Sequence, residues 1–281
     1  MPGCRPVLTG LRDLRRLLPV AAAVLIAYTA ITTASPGPAA PPTEAGNAMY
    51  DDFDGPAGAP PNRRYWGYDL GSPGAANNEM QVYTNSPDNV RLDGQGHLVI
   101  EAQKTPNGYT SGRVVTRGKV DMMYGTVTAR IKFPAGQGIW PAFWTLGSNI
   151  ASVGWPESGE IDMMELVNDG STYHVTLHGP QGNSDYLSGY RVGASGPIAD
   201  LTKDFHEYWL HWQPDNITVG VDGTTLATFT PSSLPPGARW VFNHPMYAVL
   251  NVAVGGNWPG PPDASTPFPA TMLVDWVRYT P

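Results

Sequence analysis

The 281-residue chain is 41% hydrophobic and 15% charged, with a formal net charge of −7. That balance suits a soluble globular protein and leaves no basic surface for a nucleic-acid partner. Its mild acidity also disfavours polyanionic substrates, and 32 Gly, 29 Pro and 13 Tyr favour short strands joined by tight turns.

Four arginines (Arg5, Arg12, Arg15, Arg16) precede an apolar run over residues 17–31 and small residues around 30–34. This is the pattern of an export signal over residues 1–34, and it predicts a secreted protein. The run is too short for an ordinary membrane span and contains Pro19, so membrane tethering requires an uncleaved signal-anchor. Residues 35–46 are rich in Pro and Ala and read as a linker. The single cysteine, Cys4, lies ahead of the apolar run, which leaves the exported part without disulfides or a thiol nucleophile. Residues 47–281 are enough to bury a core without such staples, and a monomer is expected.

Strand-like segments recur along that part, at residues 98–103, 114–120, 125–133, 172–178, 205–212, 217–221, 224–229, 246–254 and 272–279. From Val127 to Phe133 apolar and polar residues alternate strictly, the signature of a half-buried strand. Turn chemistry separates the runs, at Asp93-Gly94, Asn107-Gly108, Pro214-Asp215-Asn216 and Asp222-Gly223. A short helical turn is expected near residues 232–236. No long helical period, internal repeat or phosphate loop interrupts the pattern. One all-β domain follows, a two-sheet sandwich.

The densest chemistry is Ser158-Gly159-Glu160-Ile161-Asp162-Met163-Met164-Glu165. On a strand Glu160 and Asp162 share a face, and strict alternation would turn Glu165 away from them. A β-bulge at Met163-Met164 restores the phase and brings all three acids to one side. A carboxylate pair in that arrangement is what a retaining glycosidase needs. Most Glu-x-Asp pairs on strands are merely solvated, but Trp140, Trp144 and Trp155 lie just upstream. Trp140 and Trp144 are four apart and therefore share a strand face. Their indoles can stack on sugar rings.

Gly159-Glu160-Ile161-Asp162-Met163-Met164-Glu165 resembles the signature of glycoside hydrolase family 16 in its bulged form. The resemblance extends through Asn77-Asn78-Glu79-Met80-Gln81, Ile139-Trp140-Pro141-Ala142-Phe143-Trp144, Leu177-His178-Gly179-Pro180 and Gly255-Gly256-Asn257-Trp258. It is strongest to bacterial endo-β-1,3-glucanases (laminarinases). It implies a curved β-jelly-roll of the concanavalin A-like kind and a polysaccharide substrate. Glu160 would be nucleophile, Glu165 general acid/base, and Asp162 the residue that tunes both. Asn78, Arg113, Trp140, Trp144, Trp155, His178 and Trp258 are implied as substrate contacts. No cofactor is required for the chemistry; a structural Ca²⁺ held by Asp52, Gly96 and Asp275 is implied by relatives. A non-catalytic β-glucan-binding module and a transglycosylase are the alternatives on the same fold.

Overall fold

The structure, a computed structural model, describes residues 48–72, 77–182 and 189–281. The expected export signal and linker lie outside these residues. Among them the chain forms short strands β1 (Met49–Asp51), β2 (Gly67–Tyr68), β3 (Gln81–Tyr83) and β4 (Val90–Leu92), then β5 (Leu98–Thr105), β6 (Gly108–Ser111) and β7 (Arg113–Val115). Longer strands follow: β8 (Gly125–Lys132), β9 (Ile139–Gly147), β10 (Glu160–Glu165), β11 (Thr172–Gly179) and β12 (Tyr190–Pro197). The series closes with β13 (His206–Gln213), β14 (Asn216–Val221), β15 (Thr224–Phe229), β16 (Met246–Val254) and β17 (Ala270–Thr280). A single helical turn at Ile150–Val153 and a 3-10 turn at Pro231–Ser233 interrupt them.

The strands build two sheets. One runs β12-β11-β10-β9-β16-β7-β2. The other runs β15-β14-β13-β8-β17-β5-β6-β3, with β1 against β17 and β4 against β5. The alternation read in β8 is obeyed: Val127, Ala129 and Ile131 are fully buried between the sheets, while their neighbours are not. From the first sheet, Phe143, Ile161, Val175, Leu177, Leu250 and Val252 meet them in one apolar core. This is the curved two-sheet jelly-roll expected from the sequence.

Two local readings change. The strand expected over residues 114–120 stops at Val115. Thr116 accepts the backbone N–H groups of Lys119 and Val120 at 3.0 Å, and Gly118 closes this turn at φ 69°. Strand β12 was not anticipated, because Gly193, Ala194, Ser195 and Gly196 have no β-branched or aromatic character. Asp222-Gly223 joins β14 to β15 as a two-residue hairpin loop, with Asp222 at φ 50°.

Candidate active site

β10 lies inside its sheet, hydrogen-bonded to β9 on one side and β11 on the other. Against β9, Asp162 pairs with Trp144 and Met164 with Phe143, so Met163 has no partner. Against β11, Asp162 pairs with Thr176 and Glu165 with His174. The slip therefore falls at Met163-Met164. Both methionines are fully buried, and Glu160 and Glu165 emerge on the opposite face, into one cleft. Asp162 sits between them at 3% exposure.

The cleft has a volume of about 860 Å³, and Trp140, Trp144, Trp155 and Trp258 contribute to its walls. Each of the first three is fixed by its indole N–H. Trp140 donates to Glu165 Oε1 at 2.9 Å, Trp155 to Glu160 Oε2 at 3.1 Å, and Trp144 to Asn251 Oδ1 at 2.7 Å. Trp258 meets Trp140 edge-on, with ring centroids 5.3 Å apart. Beneath Trp144 and Trp155 lies a small apolar cluster of Val115, Leu146, Tyr247 and Val249 on the cleft side of the sheet. The indoles thus combine an apolar bed, a tethered edge and a face turned to the cleft.

Arg113 caps this wall. Its guanidinium lies 4.7 Å from the Trp144 ring centroid and 5.9 Å from that of Tyr83. Asn251 continues the support by donating to the Tyr83 hydroxyl at 3.0 Å.

The acids are electrostatically frustrated. Burial, followed by the charge of Asp162, raises both Glu160 and Glu165 to about 8. Burial likewise raises Asp162 to about 8, against the pull of Arg191. His178 and Arg113 work the other way on Glu160. His178, the cross-strand partner of Glu160, places Nε2 at 3.1 Å from Asp162 Oδ2 and 3.8 Å from Glu160 Oε1. The contact with Asp162 is one of proximity: Oδ2 has no aligned hydrogen-bond donor among the described residues.

Of the residues singled out in the sequence, Glu160, Glu165, Arg113, Trp140, Trp144, Trp155, His178 and Trp258 all line the cleft. Asn78 does not. It is exposed at φ 54° and donates to Asn257 Oδ1 at 2.8 Å, so it holds a cleft residue instead of being one. His174, Arg191 and Asn257 also line the cleft and were missed. For His174 a signal existed, since it lies an even four residues from His178 on the same strand.

The segments expected to hold calcium meet along β17, where Val274 pairs with Leu98 and Asp51 with Val277. Asp275 is ion-paired with Arg130, which puts a cation where Ca²⁺ would need a free carboxylate. Asp52 is exposed, with its carboxylate turned to the Asp54 backbone N–H at 3.5 Å. Gly96 packs beside Asp54. A hard dication asks for six to eight oxygens; with Asp275 paired to Arg130 and Asp52 turned outward, backbone carbonyls would have to supply most of them.

Comparison with known proteins places this geometry. Residues 77–278 match the model of glycosyl hydrolases family 16. The chain belongs to that family. A curated relative, the β-glucanase of Rhodothermus marinus, is 38% identical over 243 residues, covering 81% of this chain and 82% of its own. Among solved structures, the endo-β-1,3-glucanase of Pyrococcus furiosus superposes with a TM-score of 0.71 at 43% identity, over 85% of this chain and 97% of that one. The laminarinase of Rhodothermus marinus gives 0.74 at 35% identity, over 84% and 98%. Glycoside hydrolases of this family need no cofactor for catalysis.

Proposed function

We propose that the protein is an endo-acting hydrolase of β-1,3-glucan that works with retention of anomeric configuration. The observation that carries this reading is the bulge at Met163-Met164, which aims Glu160 and Glu165 into one indole-walled cleft. The similarity to enzymes named endo-β-1,3-glucanase and laminarinase supports the choice of glucan.

Glu165, kept protonated by burial and by the charge of Asp162, gives its proton to the glycosidic oxygen as the bond breaks. Glu160 must enter as the carboxylate, against the burial that raises it as far as Glu165. His178 and Arg113 favour charge at that position, and Trp155 holds one oxygen. It attacks the anomeric carbon and forms a covalent glycosyl-enzyme. That bond neutralises Glu160, so Glu165, now a carboxylate, is stable in its ionised form. Glu165 then accepts a proton from the incoming water as that water attacks the anomeric carbon and frees Glu160. Trp140, Trp144 and Trp258 floor the sugar subsites, and Arg113 and Asn257 supply donors to hydroxyls. The arginine run and apolar segment of residues 1–34 support reading the protein as secreted.

The test is reducing-sugar release from laminarin, lichenan, xyloglucan and agarose. Laminarin should be cleaved fastest, internally, with the β-anomer appearing first by NMR. Binding without turnover would identify a glucan-binding module instead, and α-anomer first would remove Glu160 from the nucleophile role.

A further inference from the structure

The wall of the cleft holds an unusual constellation. Asp162 Oδ2 is buried, its side chain 5% exposed, with no aligned hydrogen-bond partner among the described residues. It faces His178 Nε2 at 3.1 Å, and the same nitrogen is 3.8 Å from Glu160 Oε1. One ligand atom from each of Glu160, Asp162 and His178 lies within 4.8 Å of the other two.

These separations suit a small metal ion. Nitrogen and oxygen ligands at zinc distances, about 2.0–2.2 Å, stand roughly 3.4 Å apart around a tetrahedron. Small rotations of two side chains would bring the three donors to such spacing. The backbone already fixes their relation, because Glu160 and His178 are directly paired across β10 and β11. Three protein ligands with a fourth position open to a cleft is the coordination of an accessible zinc site. One imidazole and two carboxylates favour a borderline ion over Ca²⁺ or Mg²⁺, which ask for more oxygens.

We propose that Glu160, Asp162 and His178 form a binding site for a transition-metal dication of the Zn²⁺ type, and that its occupation shuts the enzyme off. The bound ion occupies the lone pairs of Glu160 that would attack the sugar, and it stands where the anomeric carbon must arrive. Inhibition is therefore reversible by chelation and competitive with saccharide. This second half rests on the hydrolase reading above; the binding half does not.

Tag-free protein titrated with ZnCl₂ in a non-coordinating buffer should take up one ion per chain at this site by calorimetry. His178→Ala and Asp162→Asn should each weaken that binding at least ~10-fold. MgCl₂ should give no saturable heat, and a saturating laminari-oligosaccharide should raise the apparent Kd for zinc. Anomalous scattering at the zinc edge should locate the ion beside His178 Nε2. Unaltered affinity in both variants, absence of saturable binding, or an ion located elsewhere would overturn the proposal. Zinc binding by a protein that leaves laminarin intact would sink only the hydrolase reading. Laminarin cleavage by a protein that ignores zinc would sink only the metal site.

Discussion

Trp140 donates its indole N–H to Oε1 of Glu165 at 2.9 Å, so a ring that can stack on a sugar also adjusts the acidity of the carboxyl proposed to protonate the glycosidic oxygen. A donor to a carboxylate favours the ionised form. Replacing Trp140 with Phe keeps an aromatic face and removes the donor, which raises Glu165 further. Its acid form then persists to higher pH. The basic limb of the kcat/KM profile should move upward by about one pH unit, the equivalent of ~1.4 kcal/mol. A limb that stays in place would separate Trp140 from the titration of Glu165.

Glu160→Gln and Glu165→Gln keep shape and lose the ionisable group. Each should lower laminarin turnover by at least ~10²-fold, as expected when a nucleophile or a general acid is removed. Added azide should restore turnover to the variant lacking the acid/base, by attacking the accumulated intermediate. Loss of less than tenfold in either variant would move the chemistry to other residues.

The same acids should cost stability. Their folded pKa values lie above the unfolded ones, near 8 against about 4. A group raised in this way stabilises the fold below its unfolded pKa and loses that contribution as pH rises toward the folded value. The thermal midpoint should accordingly fall between about pH 4 and pH 8. At pH 8, Glu160→Gln and Asp162→Asn should unfold at least ~3 °C higher than the parent, about 1 kcal/mol for a chain of this size. The advantage should vanish near pH 4, and a constant difference across the range would contradict the pKa assignment.

Gly147, at the end of β9, leaves no room for a side chain. A Cβ there would meet the Ser158 carbonyl oxygen at 2.0 Å. That carbonyl belongs to backbone two residues before Glu160, so Gly147→Ala must push the start of β10. Overpacking of this kind costs ~1–3 kcal/mol. Both the thermal midpoint and kcat should drop, whereas Gly223→Ala, where a Cβ meets open space without a left-handed backbone, should leave kcat near the parent value.

Arg113→Ala removes the cation over Trp144 and Tyr83. KM for laminari-oligosaccharides should rise several-fold, and kcat near neutral pH should fall as well, because the guanidinium both sits on the binding wall and favours the charged form of Glu160. A selective fall in kcat would instead place Arg113 at the reacting centre.

Much of this architecture was legible because the physics was local. The alternation of β8 and the phase of Glu160, Asp162 and Glu165 follow from the two-residue repeat of a strand, and the bulge was required for three acids to act together. Trp140 and Trp144 were paired by the same arithmetic. What escaped depended on partners distant in sequence. Asn78 looked like a sugar ligand until Asn257, 179 residues away, was seen to accept its amide. Arg191 was hidden in a glycine-rich stretch whose extended form comes from pairing with β11. Asp275 looked free for a cation because nothing in its own segment announces Arg130.

The position of β10 between two paired neighbours divides the labour of this molecule. Apart from the bulge at Met163-Met164 the strand is paired on both sides, so Glu160 and Glu165 ride on backbone that frays last. Other cleft residues, such as Arg191 on the outermost strand and Asn257 and Trp258 beyond the end of β16, stand at the margins, where exchange of a side chain or a loop disturbs no ladder. New substrates can therefore be acquired at the rim while the reaction itself stays as it is.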